Sequence, residues 1–332
     1  MTLTARPADG PVIAEAVALL QQGGLVALPT ETVYGLAADA DQPAAVARIF
    51  AAKGRPSNHP LIVHVADPAG VAHYASDVPA FAQALMQAFW PGPLTLILPR
   101  RPGVAADVAG GQASIGLRCP SHPVAQALLM ACQQAGIHGL AAPSANRFGR
   151  VSPTTAAHVL DEFQGLLEPS ELMVLDGGPC QVGIESTIID CTRGHPVLLR
   201  PGVLTVSALE AAAGMALAAR DGDAPRASGT LESHYAPKAR VRLMSGRDIQ
   251  QALDVLGPDA RHIAVYSRQP VSSASAHVRM ERMPSSASAC AQQLFAVLRA
   301  LDQPETRLIW VETPPDDPAW DGVRDRLQRA AA

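Results

Sequence analysis

Six segments of the chain gather hydroxyl, amide and cationic side chains beside apolar runs. KGRPSNHPLIVHV (53–65) sets Lys53 and Arg55 two apart in a loop broken by Gly and Pro. An Arg there grips a phosphate through paired N–H groups, and a Lys acts as a compact point charge. His64 alternates with the apolar residues of the run, a position that suits a satisfied core histidine as well as a ligand contact. SIGLRCPSHP (114–123) puts Ser114 and Arg118 on one face of a strand, because residues four apart align at a period of two. An Arg ending a buried strand requires an anionic partner, either an internal carboxylate or a bound one. PTETVYGLAADA (29–40) concentrates Thr30, Glu31, Thr32 and Tyr34 before Gly35. It reads as a strand-to-helix turn capped by Thr or as a ligand-holding loop. APSANRFGRVSPT (142–154) offers Ser144, Asn146 and Ser152 as donors to phosphate oxygens or as caps. DGGPCQVGIESTIID (176–190) runs from a Gly-rich turn into Glu185, Ser186 and Thr187, and LLRPG (198–202) places Arg200 at a strand end. In α/β sheets ligands sit at strand ends, so this set describes a site for a small anionic molecule.

The familiar nucleotide signatures are missing: the sequence has neither G-x-x-x-x-G-K-[ST] nor G-x-G-x-x-G. It has no H-E-x-x-H pair and no G-x-S-x-G elbow. The net charge of -4 gives no general attraction to nucleic acid or anionic membrane, so local cations must hold the anion. The 26 basic residues include only two lysines, Lys53 and Lys238. Where Arg is used so freely, a retained Lys marks either chance survival or a need for a compact ammonium. Five cysteines without a C-x-x-C pair suit a reducing compartment, and none stands in a nucleophile's position. No apolar run reaches the length of a membrane span, and a cytoplasmic location is the expectation.

These groups need a scaffold that brings distant strand ends together. LVALP (25–29), LIVHV (61–65), LTLIL (94–98), SIGLRC (114–119), LMVLD (172–176), STIID (186–190) and PVLLR (196–200) read as strands. Their near-continuous hydrophobicity predicts a sheet covered on both faces. Residues 11–24, 44–54, 78–90 and 123–136 read as Ala-rich helices, and WPGP (90–93) as a rigid turn. The domains expected are 1–206, a linker at 207–238 and a smaller domain at 239–332. The linker runs from a short Ala-rich helix into Gly, Asp, Pro and Ser. The smaller domain repeats strand and helix, VRLM, DIQQALDVLG, HIAVYS, HVRMERM, ASACAQQLFAVLRALD, RLIWVET and a final helix near 319–330, which predicts a Rossmann-like α/β layer.

PTETVYGLA, KGRP-x₃-PLIVHV, WPGPLTLIL, GLRCPSHP, APSAN-x₂-G-x₂-SPT, GIESTIID and LLRPG stand in the order seen in the YrdC/Sua5 family. SGTLESHYAPK (228–238) resembles the linker motif of the two-domain Sua5 branch. The resemblance spans about residues 10–240. It implies an α/β fold with an N-terminal YrdC-like twisted open sheet, largely parallel, around a deep cavity, plus the small C-terminal domain. It implies a nucleotidyltransferase that condenses L-threonine, bicarbonate and ATP to threonylcarbamoyl-AMP and pyrophosphate. The product serves N6-threonylcarbamoyladenosine formation at position 37 of ANN-decoding tRNAs, after transfer by a separate threonylcarbamoyl transferase complex. Mg²⁺ would accompany ATP, held mainly by the phosphates, and a weak tRNA contact is allowed.

Carried over motif by motif, Thr32, His64, Arg118 and Ser186 would hold threonine, with Arg118 on its carboxylate. Lys53, Arg55, Ser114, Ser144, Asn146, Ser152 and Arg200 would hold ATP, and Tyr235 would close over the nucleotide. Ala142 stands where some members have Thr, so one contact to threonine is missing. Lys53 and Lys238 fall in separate motifs of this implied ATP site. Two other readings compete: an RNA-binding module, disfavoured by the neutral to acidic balance of both halves, and a carbamoyltransferase like that maturing hydrogenase, whose extra zinc-finger and acylphosphatase segments are missing here. SGTLESHYAPK is open to two roles, a lid that excludes water from a labile adenylate or a passive tether.

Overall fold

The structure is a computed structural model and describes residues 2–231 and 233–332. Glu232, inside the SGTLESHYAPK motif, lies outside the described residues. The chain divides into two compact units. The first comprises residues 1–148 and 152–230, the second 149–151 and 231–332.

In the first unit eleven described strands form one sheet. Across the sheet they run Ala5–Pro7, Leu172–Asp176, Leu25–Leu28, Gly35–Asp39, Leu140–Ala141, Ile62–His64, Ser114–Arg118, Leu94–Pro99, Thr187–Asp190, Val197–Arg200 and Ala218–Ala219. Apolar residues face both ways. Leu25 and Ala27 enter one core, while Val26 and Leu28 enter the other. The second core is filled by the helices Gly10–Gln21 and Pro123–Gln134. Asp9 starts the former by accepting from the Val12 amide, and Val12, Ile13, Ala16, Val17 and Leu20 form its buried stripe.

The largely parallel sheet that the resemblance implied is corrected by the pairing. Five of the ten described strand pairs are antiparallel. Short connections explain two of them, Leu25–Leu28 with Gly35–Asp39 and Thr187–Asp190 with Val197–Arg200, because a parallel return needs a crossover of a dozen or more residues. The PTETVYGLAADA segment is therefore no strand-to-helix turn. It reverses the chain between Leu25–Leu28 and an antiparallel strand, Gly35–Asp39. All five residues of that strand are buried, so no alternation marked it. The short strands Ala5–Pro7, Leu140–Ala141 and Ala218–Ala219 likewise had no clear periodic signal, whereas the helix Ala156–Phe163, also unread, buries Ala156, Val159 and Phe163 at helical spacing.

The second unit holds a four-stranded parallel sheet in the order Arg240–Met244, Leu308–Glu312, Ile263–Ser267, Arg279–Arg282. Three helices serve it, Gly246–Leu256, Ala287–Leu301 and Asp321–Ala331. This is the layered β/α arrangement expected. Ser245 and Ser286 cap the first two helices through their hydroxyls. No described helix is long and apolar enough to cross a membrane.

Candidate active site

The turn after Leu28 is built around Thr30. Its hydroxyl accepts from the amides of Thr32 and Val33, both at 3.2 Å, and donates to the Val33 carbonyl at 2.6 Å. That local ring fixes the directions of Glu31 and Thr32. Both meet Arg118, which ends the strand Ser114–Arg118. Its Nη2 donates to Glu31 Oε1 at 2.6 Å and its Nη1 to Thr32 Oγ1 at 2.8 Å. Nε donates to the Gly92 carbonyl at 3.3 Å. The Gly92 amide in turn donates to the Cys119 carbonyl, so the WPGP turn is tied to the end of the Arg118 strand. Glu31 Oε2 accepts from the Ser121 amide at 3.1 Å. Of the two partners the sequence left open for Arg118, the structure shows the internal carboxylate. A guanidinium has five N–H donors, and these contacts use three, which leaves room for a second anion.

His64 pairs in register with Arg118 across two parallel strands. It is buried, and its Nδ1 has no hydrogen-bond partner. Burial, reinforced by the nearby Arg118 cation, lowers its pKa to about 3, so the imidazole is neutral at physiological pH. A neutral ring with an unmet buried nitrogen beside a cation is suited to a polar ligand atom.

A second cluster surrounds Arg200. Its Nε and Nη2 donate to the Ser186 carbonyl at 3.0 and 2.8 Å, and Nη2 reaches Ser186 Oγ at 3.2 Å. Nη1 donates to the Ser228 carbonyl at 2.9 Å. Ser186 Oγ also shares a hydrogen bond with Thr95 Oγ1 at 2.7 Å. Arg55 Nη2 donates to the Pro60 carbonyl at 2.9 Å and touches Ser228 Oγ at 3.5 Å, and its guanidinium lies 5.7 Å from the centre of the Phe148 ring. Ser228 thus joins Arg55 to Arg200. Gly202 is required by close approach, since a Cβ there would lie 2.6 Å from the amide nitrogen and Oγ1 of Thr187.

Lys53 closes the helix Pro43–Lys53, which Gly54 ends in a left-handed conformation. Its ammonium is buried and donates to the carbonyls of Ser144 and Asn146. Burial first, and Arg55 second, push its pKa well below the usual lysine value. These contacts tie down the APSAN loop. Ser152 Oγ bonds the buried Glu185, and Asn146 Nδ2 donates to the Arg147 carbonyl at 2.8 Å. Ser114 stands partly exposed at its strand start. It lines a hollow shared with Pro60, Thr95, Gly116 and Ser228 and borders a cavity of about 480 Å³ beside Gln112 and Arg193.

Tyr235 lies in the second unit. It is buried, with φ at +63°, its ring 5.4 Å from Phe295 and 5.3 Å from the Arg326 guanidinium. Lys238 is exposed, and its backbone amide, not its ammonium, bonds Asp302. The structure therefore brings Thr32, His64 and Arg118 together and groups Arg55, Ser186 and Arg200, while Tyr235 belongs to the second unit. Sequence reasoning assigned no role to Glu31, Thr95, Glu185 or Ser228. Thr95 carried one signal, a hydroxyl inside the otherwise apolar LTLIL run.

The comparisons agree with this architecture. Residues 18–202 match the Sua5/YciO/YrdC family model, described as telomere recombination, and residues 204–332 match the model of the threonylcarbamoyl-AMP synthase C-terminal domain. The chain is 37% identical over 339 residues to the threonylcarbamoyl-AMP synthase of Bacillus subtilis, covering 97% of this chain and 94% of the relative. It is 35% identical over 327 residues to that of Pyrococcus abyssi, covering 95% and 93%. A crystal structure of P. abyssi Sua5 complexed with L-threonine matches with a TM-score of 0.86 at 34% identity, over 96% of this chain and 94% of that one. With both family models matched in order and the relatives aligned nearly end to end, the chain belongs to the Sua5/YciO/YrdC family, in the form that carries the threonylcarbamoyl-AMP synthase C-terminal domain.

Proposed function

We propose that this chain is a threonylcarbamoyl-AMP synthase, a nucleotidyltransferase that condenses L-threonine, bicarbonate and ATP to threonylcarbamoyl-AMP and pyrophosphate. The observation that carries the reading is the buried cluster of Thr32, His64 and Arg118, with its two uncommitted N–H positions and unmet imidazole nitrogen. In this reading the threonine carboxylate meets Arg118, and its polar groups meet His64, Thr32 and Ser186. Ala142 offers only a methyl group, which costs one contact.

ATP enters with Mg²⁺ on its phosphates. The nearby acidic side chains already have partners, Glu31 on Arg118 and Glu185 on Ser152, which fits a site that leaves the metal to the phosphates. Arg55 and Arg200 offer cationic contact to the phosphate chain, with Ser114, Ser144, Asn146 and Ser152 around it. The two arginines would exchange their Ser228 contacts for phosphate. Lys53 acts by fixing the 144–146 loop, whose backbone carbonyls it holds.

The threonine amine adds to CO₂ with loss of a proton, or condenses with bicarbonate with loss of water, to give N-carboxy-threonine. That carboxylate attacks the α-phosphorus and expels pyrophosphate. Positioning and cationic stabilisation supply the catalysis, and no covalent intermediate on the chain is required. We further propose domains at 1–206 and 239–332, with 207–238 between them as a lid that brings Tyr235 to the nucleotide. The product passes to a separate transferase complex for N6-threonylcarbamoyladenosine formation in the cytoplasm, with at most a weak tRNA contact.

Incubation with Mg²⁺, ATP, bicarbonate and labelled threonine tests the activity. Pyrophosphate release should require both threonine and bicarbonate, and release without threonine would overturn the substrate assignment. Deletion of residues 228–238 tests the lid: ATP affinity and product lifetime should both fall, and no change in either would leave a passive tether.

A further inference from the structure

We infer that Glu31 sets the charge selectivity of the amino-acid pocket, admitting a carboxylate that carries its own ammonium and disfavouring a plain carboxylate. The inference rests on the reading above, in which Arg118 receives the threonine carboxylate. Glu31 and Arg118 stand 2.6 Å apart with side chains only 7% and 5% exposed. Water screens such a pair weakly, so its net charge is felt by whatever binds beside it. His64 is neutral because burial lowers its pKa, and burial lowers that of His122 as well. The charges in direct contact at Arg118 are then one cation and one anion, with Arg200, bonded to Ser186, the next cation outward.

A zwitterion added to this pair leaves the pocket neutral. A plain carboxylate leaves it with an uncompensated negative charge beside Glu31, which is costly in a weakly screened site. Glu31 acts through Arg118 and is a positioning residue. Oε1 holds Nη2, while Oε2 is anchored on the Ser121 amide, so the carboxylate fixes the guanidinium plane and offsets its charge together. A merely structural role would predict that losing Glu31 weakens every carboxylate equally. A role in charge selection predicts that the preference itself changes.

The test is calorimetric titration of the full chain with L-threonine and with (R)-3-hydroxybutanoate, the same molecule without its amine. In the wild type the hydroxy acid should bind roughly tenfold or more weakly than threonine. In Glu31→Gln the ratio of the two dissociation constants should fall by roughly tenfold or more towards the hydroxy acid. Glu31→Asp, which keeps the charge, should hold the wild-type ratio within about threefold even where both ligands weaken. An unchanged ratio in Glu31→Gln overturns the inference while threonine binding by the wild type leaves the proposed function standing. Should the Gln variant not fold, equal affinity of the wild type for both ligands overturns it. A wild type that does not bind threonine overturns the proposed function and this inference with it.

Discussion

Each unit of this protein buries a glutamate at a strand-end loop of an α/β layer, and the two are used differently. Glu312, ending Leu308–Glu312 in the second unit, accepts from Ser267 Oγ at 2.7 Å, the Gln269 amide at 2.8 Å and Arg268 Nη2 at 2.7 Å. Its donors come from the end of one neighbouring strand and the two residues after it, and the group cinches that loop. Glu31 in the first unit accepts from Arg118 and Ser121, but its partner Arg118 is shared with Thr32 and stands beside the unpartnered nitrogen of His64. Three donors closing on one carboxylate make structure. A cation whose partners come from distant strand ends, beside an unmet buried nitrogen, makes a site. Burial, a short ion pair and spare donors do not separate these cases, since Arg268 Nε is also buried without a partner; the spread of the partners does, because those of Glu312 all lie in one loop.

The comparison breaks most visibly at Arg118. Arg118→Ala leaves Glu31 buried without its cation, and stability should fall by about 3–5 kcal/mol in chemical denaturation. Threonine-dependent pyrophosphate release should be lost with it. A variant as stable as the wild type would show that the pair is not buried in solution. Glu312→Ala should cost about 2–4 kcal/mol by the same measurement, since three donors lose their acceptor. Its KM for threonine should not move, and a rise would erase the distinction between the two glutamates.

Gly202→Ala drives a methyl group against Thr187 and should cost about 1–3 kcal/mol of stability, read as a lower thermal midpoint. The last effect is a pH slope rather than a loss at fixed pH. His64 titrates near 6.5 in the unfolded chain and at about 3 when folded, so as pH falls the unfolded chain takes up a proton that the native state refuses. Its contribution is fully present above pH 6.5 and is lost as pH falls toward 3, at about 1.4 kcal/mol per unit across that window. Denaturation of His64→Gln at pH 7 and pH 5 should show a shallower loss than the wild type.

Much of this could be read in the sequence because it is local. The strand Leu172–Asp176 and the strand core Leu94–Leu98 follow from largely apolar runs, and the helix Gly10–Gln21 from its Ala-rich stretch. The strand Gly35–Asp39 escaped because burial on both faces removes alternation, and Leu140–Ala141 because two residues carry no period. The ordered motifs also identified the family and which residue types the site contains, since a phosphate or carboxylate site restricts those types to a few.

Partner choice was not legible. Lys53 reads as a phosphate contact, and nothing in its motif named the carbonyls of Ser144 and Asn146 that it also holds, 91 and 93 residues away. Arg118 required an anion, and nothing in its neighbourhood named Glu31, 87 residues upstream. Nor did the HYAPK motif name Phe295 and Arg326, against which the Tyr235 ring packs within the second unit. The sequence alone determined the elements, the family and the inventory of charged and hydroxyl groups, because propensity, period and motif act over a few residues. Which buried cation meets which carboxylate, and which donors remain for a ligand, was decided only when the sheet set those strand ends side by side.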